Sequence, residues 1–290
     1  MLLPSFPQID GRISIFVFPI LEKTFMKKFI TRLFIFVALI YSVGCGYMYF
    51  AQESFIFHPE KISRNAKIEF SIPVELINIP VDGAILNGAL FKVEKSKGLI
   101  FFLHGNAGNL LNQENAAKFY TTLGYDFFTV DYRSFGKSTG EMKDEKQFFE
   151  DVQTTYNLLK KSYNEDSITI IGYSVGTAPA ANLASTNNAK KLILIAPYYS
   201  LVDMTTRKYK IIPTFLLKYK FETYKYIQKV KSPILIIHGN IDSVIPFEAS
   251  QQLSKLLKKG DEFYPIKNQG HDDFENNYKF LNVINRFLER

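Results

Sequence analysis

The 290-residue chain contains no tryptophan, a single cysteine and only four histidines. The lone Cys45 can form no intramolecular disulfide and no thiolate zinc cluster. With so few histidines, imidazole chemistry is confined to His58, His104, His238 and His271. There is no internal repeat and no low-complexity linker, which excludes a solenoid or a pair of loosely tethered domains. Hydrophobic residues make up 47% and charged residues 22%, a balance that excludes disorder for the bulk of the chain. The net charge of +7 comes from lysines scattered along the sequence. No zinc-ligand pattern or RNP-like strand accompanies them, so nucleic acid is not an expected partner.

What the chain does have, near its beginning, is an uncharged run of eighteen residues, Leu33 to Phe50. That length can cross a bilayer as a helix. Lys27, Lys28 and Arg32 precede it, and Tyr47, Tyr49 and Phe50 close it as an aromatic belt would. A cleaved signal peptide would have a shorter apolar core. A lipidated signal at Cys45 would want an aliphatic residue where Ser42 stands, and the run continues past the cysteine. A buried core helix is the remaining alternative. The reading is therefore an extension over 1–28, a single transmembrane anchor over 29–50 and a globular domain over 51–290. Ile13–Leu21 is an apolar patch broken by Pro19, and Met26-Lys27-Lys28 resembles a natural start, so residues 1–25 are expected to carry little structure. The basic residues before the run favour a cytoplasmic N-terminus and a catalytic domain on the non-cytoplasmic side.

Beyond the anchor, Val74–Ile79 and Ile85–Val93 alternate around Val81-Asp82-Gly83 and predict a hairpin. Five continuous apolar runs follow: Leu99–Leu103, Phe127–Val130, Ile168–Ile171, Leu192–Ile195 and Ile234–Ile237. Such runs suit strands buried on both faces of a parallel sheet. Helical stretches separate them near Asn109–Leu123, Lys146–Ser162, Gly176–Ala184 and Glu248–Leu257, and Phe274–Leu288 closes the chain. The expectation is an α/β fold, a mostly parallel sheet flanked by helices. The segment 198–231 interrupts the alternation and predicts a small helical cap.

Ile168–Tyr173 runs into Gly172-Tyr-Ser174-Val-Gly176, followed by Thr177, Ala178, Ala180 and Ala181. A serine at a tight strand-to-helix turn exposes its hydroxyl, and flanking glycines let strand and helix pass closely. An alcohol needs a base to become a nucleophile. His271, in Asn268-Gln-Gly-His-Asp-Asp-Phe274, lies in the loop before the last helix, where the chain order serine, acid, histidine puts the base. His104 and His238 each end an apolar run before a glycine and read as turn residues. The orienting acid is expected to be Asp242, in the loop leaving Ile234–Ile237, with Asp203 as competitor. His104-Gly-Asn106-Ala-Gly-Asn109 follows the third strand, and the N–H groups of Asn106 and Val175 are the candidate oxyanion donors. No metal or organic cofactor is required.

Together these residues resemble the α/β-hydrolase superfamily. Within it, the chain is similar to membrane-anchored hydrolases carrying a serine aminopeptidase-like domain, a group with depalmitoylase-like eukaryotic relatives. The resemblance covers about residues 48–290. It is carried by Phe57-His-Pro59, His104–Asn109, Asp131-Tyr-Arg-Ser-Phe-Gly-Lys-Ser138, Gly172–Gly176, Ser200-Leu-Val-Asp203, Pro233–Gly239, Asp242 and Gly270-His271. It implies the α/β-hydrolase fold, and structural roles for Asp131, Arg133 and Gly136 at the turn after the fourth strand. Asn240 departs from the pattern, standing where many relatives have an acidic residue. The expected activity is cleavage of an acyl, lipid-like ester or thioester through an acyl-enzyme. A peptidase of the same fold and a non-catalytic membrane scaffold are the alternatives.

Overall fold

A computed structural model of the chain describes residues 18–290, with side chains from residue 23 onward. Residues 1–17 of the expected loose stretch lie outside the described residues, and 18–25 are helical rather than loose. The chain divides into a unit ending at Phe50 and a compact unit Ala51–Arg290.

The first helix, α1 (Phe18–Ile56), is 39 residues long. It is longer at both ends than the predicted 29–50, because a helix needs apolarity only where it crosses lipid. Pro19 does not break it: proline is tolerated in a first turn, where its missing N–H has no partner to lose. The central part of α1 is long and apolar enough to span a bilayer and is a candidate membrane anchor.

In the second unit an eight-stranded sheet is built from β1 (Glu75–Val81), β2 (Ala84–Phe91), β3 (Leu99–Leu103), β4 (Asp126–Asp131), β5 (Ile168–Tyr173), β6 (Lys191–Ile195), β7 (Ile234–Gly239) and β8 (Glu262–Ile266). Its spatial order is β8-β7-β6-β5-β3-β4-β2-β1. The last six strands in sequence are mutually parallel, and β1 and β2 are antiparallel. The strands from β3 to β7 are almost wholly buried, as their continuous apolar runs require. β8 was not among the predicted strands; it is short, half-exposed and interrupted by Pro265. The outer strands β1 and β8 each contain a proline, Pro80 and Pro265.

Alternation along each strand feeds two cores. Phe101 and Leu103 of β3 pack on one face with α3 (Glu145–Leu159), α4 (Thr177–Thr186) and α7 (Phe247–Ser254). Ile100 and Phe102 pack on the other face with α2 (Glu114–Thr122) and α8 (Tyr278–Glu289). Burial of Tyr156 and Phe148 of α3 and Phe287 of α8 contributes roughly 1.5–3 kcal/mol for each such side chain. The segment 198–231 forms α5 (Leu201–Lys208), a 3-10 turn (Thr214–Leu216) and α6 (Thr223–Ile227). Its buried Tyr219 and Phe221 join Phe57 and Phe148 in the first core.

Candidate active site

β5 delivers Ser174 to its end and into a tight turn, where Ser174 takes a left-handed conformation with φ 51°. A non-glycine residue pays strain there, and such strain persists only where the surroundings hold it. The surroundings are glycines. A Cβ on Gly172 would meet the Gly176 carbonyl oxygen at 2.5 Å and Ala180 Cβ at 2.7 Å. A Cβ on Gly176 would meet the Leu103 carbonyl oxygen at 2.1 Å. The two glycines thus let α4 pack back on β5 and lie against the end of β3. Tyr198 Oη donates to the Val175 carbonyl at 3.1 Å and holds the turn from behind.

His271 Nε2 stands 3.0 Å from Ser174 Oγ, and His271 Nδ1 stands 2.7 Å from Asp242 Oδ2. These three residues are far apart in the sequence, and the sheet brings them together. Asp242 is fixed further by the Val244 and Ile245 backbone N–H groups, both 2.8 Å from Oδ1. Burial alone would raise its carboxyl; hydrogen bonds from His238, His271 and the Ile245 N–H outweigh burial and hold it well below the ordinary carboxylate range. Asp242 is therefore ionised whenever the imidazole beside it must be oriented. Asp203, the competitor, pairs with Arg207 at 2.7 Å in the first turns of α5 and makes no bond to His271.

Two residues that the sequence reading left out complete the arrangement. His238, read as a turn residue, has Nε2 3.1 Å from Asp242 Oδ2, while Nδ1 meets the Ser250 hydroxyl. With Nδ1 accepting from Ser250, Nε2–H donates to Asp242. The only hint in the sequence was His238 four residues before the acid. Tyr173, beside the serine, places its hydroxyl 2.6 Å from an Asp272 oxygen and 3.1 Å from the His271 carbonyl, pinning the histidine loop to β5. His104 behaves as expected, with Nδ1 2.8 Å from the Gly105 carbonyl and its ring stacked on Tyr132. Burial lowers its pKa to about 4, so it is neutral at physiological pH.

Asn106 follows β3 in a loop held by the segment just after α1. Asn106 Nδ2 donates to the Ile56 carbonyl at 2.9 Å, and the His58 N–H donates to the Asn106 carbonyl at 2.7 Å. His58-Pro59 pairs in parallel with Ala107-Gly108. The Phe57-His-Pro59 motif is thus a clamp on this loop, with Phe57 as its buried root. The Asn106 backbone N–H makes no hydrogen bond among the described residues. Val175 is the second residue of a 3-10 turn that continues into α4, where the first N–H groups have no intrahelical partner.

A cavity of about 350 Å³ opens on Ser174, His271 and Asn106. Phe102, Phe119, Tyr120, Ile195, Phe274 and Phe280 are among the residues that line it. Its lining includes four carboxylates, Glu60, Asp272, Asp273 and Glu275, and no lysine or arginine. No residue of the 198–231 segment lines it.

The strand order, with β2 antiparallel to both its neighbours near the edge of an otherwise parallel sheet and a strained serine between β5 and α4, defines the α/β-hydrolase fold. The sequence is similar to members of the α/β-hydrolase superfamily. A family model described as serine aminopeptidase, S33, matches residues 94–226. Alpha/beta hydrolase domain-containing protein 17C of Xenopus tropicalis is 30% identical over 202 residues, 67% of this chain and 62% of that protein. Alpha/beta hydrolase domain-containing protein 17B of Homo sapiens is 28% identical over 204 residues, 67% of each. The match thus spans about 62% of the length of the 17C relative. Among solved structures, a Pyrococcus furiosus esterase superposes with a TM-score of 0.66 at 20% identity, covering 81% of this chain and 97% of that one.

Proposed function

We propose that this protein is a membrane-anchored serine hydrolase that cleaves an acyl, lipid-like ester or thioester through an acyl-enzyme. The observation that carries the reading is the continuous bonded path Ser174–His271–Asp242, at 3.0 and 2.7 Å. His271 Nε2 takes the Ser174 proton as Oγ attacks the substrate carbonyl. The oxyanion is received by the Asn106 and Val175 N–H groups, a pair of donors each contributing about 3 kcal/mol in well-studied cases. The imidazolium, balanced by Asp242, protonates the leaving group. Water activated by the same nitrogen then releases the acid and restores the serine. The aromatic side chains in the cavity lining support an acyl chain as the part of the substrate bound there.

The test is active-site labelling. A fluorophosphonate is expected to label the full chain and to fail on Ser174→Ala of unchanged fold. Equal labelling of the variant would take Ser174 out of the mechanism, and no labelling of either would favour a non-catalytic scaffold.

A second reading, an aminopeptidase or amidase, is favoured by the four carboxylates of the cavity, which would suit a substrate amino group. Acyl esters or thioesters turned over faster than aminoacyl amides by the same preparation would support the first reading. The opposite ranking would replace it with the second.

A further inference from the structure

The segment expected to cover the catalytic site contributes nothing to the cavity, yet it carries the most exposed aromatic ring of the compact unit. Phe215 is 80% exposed and Ile211 76%, with Tyr209 close by at 46%. Isolated surface apolar residues are ordinary. Here three fall within seven residues of chain. They are interleaved with exposed Arg207, Lys208 and Lys210, followed by exposed Lys220, and no acidic residue occurs from 207 to 220.

The loop is not slack. The Leu216 N–H donates to the Pro213 carbonyl at 3.1 Å and the Leu217 N–H to the Thr214 carbonyl at 3.2 Å. It is also tied to the chain at Gln52 and Glu53. Gln52 is only 4% exposed. Its amide nitrogen donates to the Leu216 carbonyl at 2.8 Å and its amide oxygen accepts from the Lys218 N–H at 2.9 Å. Glu53 pairs with Lys218 at 3.1 Å and takes the Tyr219 hydroxyl at 3.2 Å. Gln52 stands two residues after Phe50, where the apolar run ends. At a helical rise of about 1.5 Å per residue, that tie lies roughly 3 Å along the chain from the end of the span.

We infer that the 209–216 loop is a second membrane contact, its Phe215 and Ile211 side chains entering the interfacial layer of a bilayer with anionic headgroups. Apolar tips ringed by cations are the chemistry that a lipid surface of negative charge recognises. A second copy of the chain is a poor occupant. Self-association through this patch would set Lys208 and Lys210 against their own equivalents. The contact would attach the compact unit to the bilayer at two points, the chain itself and this loop.

Because the chain lacks tryptophan, Phe215→Trp creates a sole tryptophan, excited selectively beyond the absorption of the 17 tyrosines. The full chain carrying F215W is reconstituted in phosphatidylcholine–phosphatidylserine vesicles, with bromine on the lipid chains or iodide in the water. The expected result is blue-shifted emission, quenched several-fold more by lipid bromine than by iodide. The excess should shrink when phosphatidylserine is omitted or when Lys208 and Lys210 are changed to Gln. Ile211→Trp, an independent reporter, should behave alike. Emission quenched by iodide and untouched by bromine would overturn the inference. So would blue-shifted emission that ignores both quenchers and grows with protein density, which would put a protein on the patch.

Discussion

Asp242 Oδ2 receives two imidazoles, His271 at 2.7 Å and His238 at 3.1 Å, while Oδ1 takes two backbone N–H groups. Asp242→Asn would offer an amide where His271 needs an acceptor and would favour the wrong tautomer. The expected loss of turnover approaches the ten-thousandfold of the worked protease triad, with little change in KM. Asp203→Asn should cost far less, since Asp203 bonds Arg207 instead; steady-state kinetics on both variants would expose the reverse ranking. Asp131 is a different kind of carboxylate. It is fully buried, neither of its oxygens has a hydrogen-bond partner, and burial raises its pKa to about 8. The unfolded chain ionises this group near pH 4 and the folded chain near pH 8, so the folded state holds more protons between those values. Stability must therefore fall as pH rises through that window. In Asp131→Asn this part of the decline should vanish, so thermal melts should show the variant gaining on the parent between pH 5 and 8. Ser174, His271 and Asp242 were legible because a motif and a chain order mark them. His238 and Tyr173 were not, because their roles are contacts between loops that no local pattern encodes.

Among the elements, the sharpest constraint is the crossing of α4 over the end of β3. Gly176→Ala places a methyl 2.1 Å from a backbone oxygen that cannot swing aside. We expect at least the roughly 1–3 kcal/mol typical of overpacking, together with loss of fluorophosphonate labelling as the turn shifts. A lower melting temperature with labelling intact would show that the turn tolerates the strain. Arg133 ties the end of β4 to α3 through a two-pronged pair with Asp151, at 2.6 and 2.9 Å, and reaches the Asp82 carbonyl at 2.6 Å. Asp151→Ala leaves a buried guanidinium without its partner and should cost about 3–5 kcal/mol in urea unfolding. The strands β3 to β7 could be read in advance because a strand buried on both faces must be apolar throughout. β8 escaped because an outer strand is under no such demand. The true length of α1 escaped for a related reason: apolarity marks the part of a helix suited to lipid, whereas hydrogen bonding, which composition does not display, decides where the helix ends.

For the molecule as a whole, Lys23, Lys27, Lys28 and Arg32 precede the apolar run and Glu53 is the first charge after it. Our proposal is that the N-terminus is cytoplasmic and the compact unit lies on the opposite side of the membrane. Protease added outside sealed cells should then digest the compact unit, and full protection would reverse the topology. A chain held in a bilayer meets its own kind by lateral diffusion, in two dimensions and at crowding that free solution seldom matches. An open sheet edge under those conditions is an invitation to polymerise. Pro80 on β1 and Pro265 on β8 each remove a donor from one of the two outer strands. With α1 placed in a membrane as proposed, copies packed side by side would be discouraged from growing a shared sheet through these two edges.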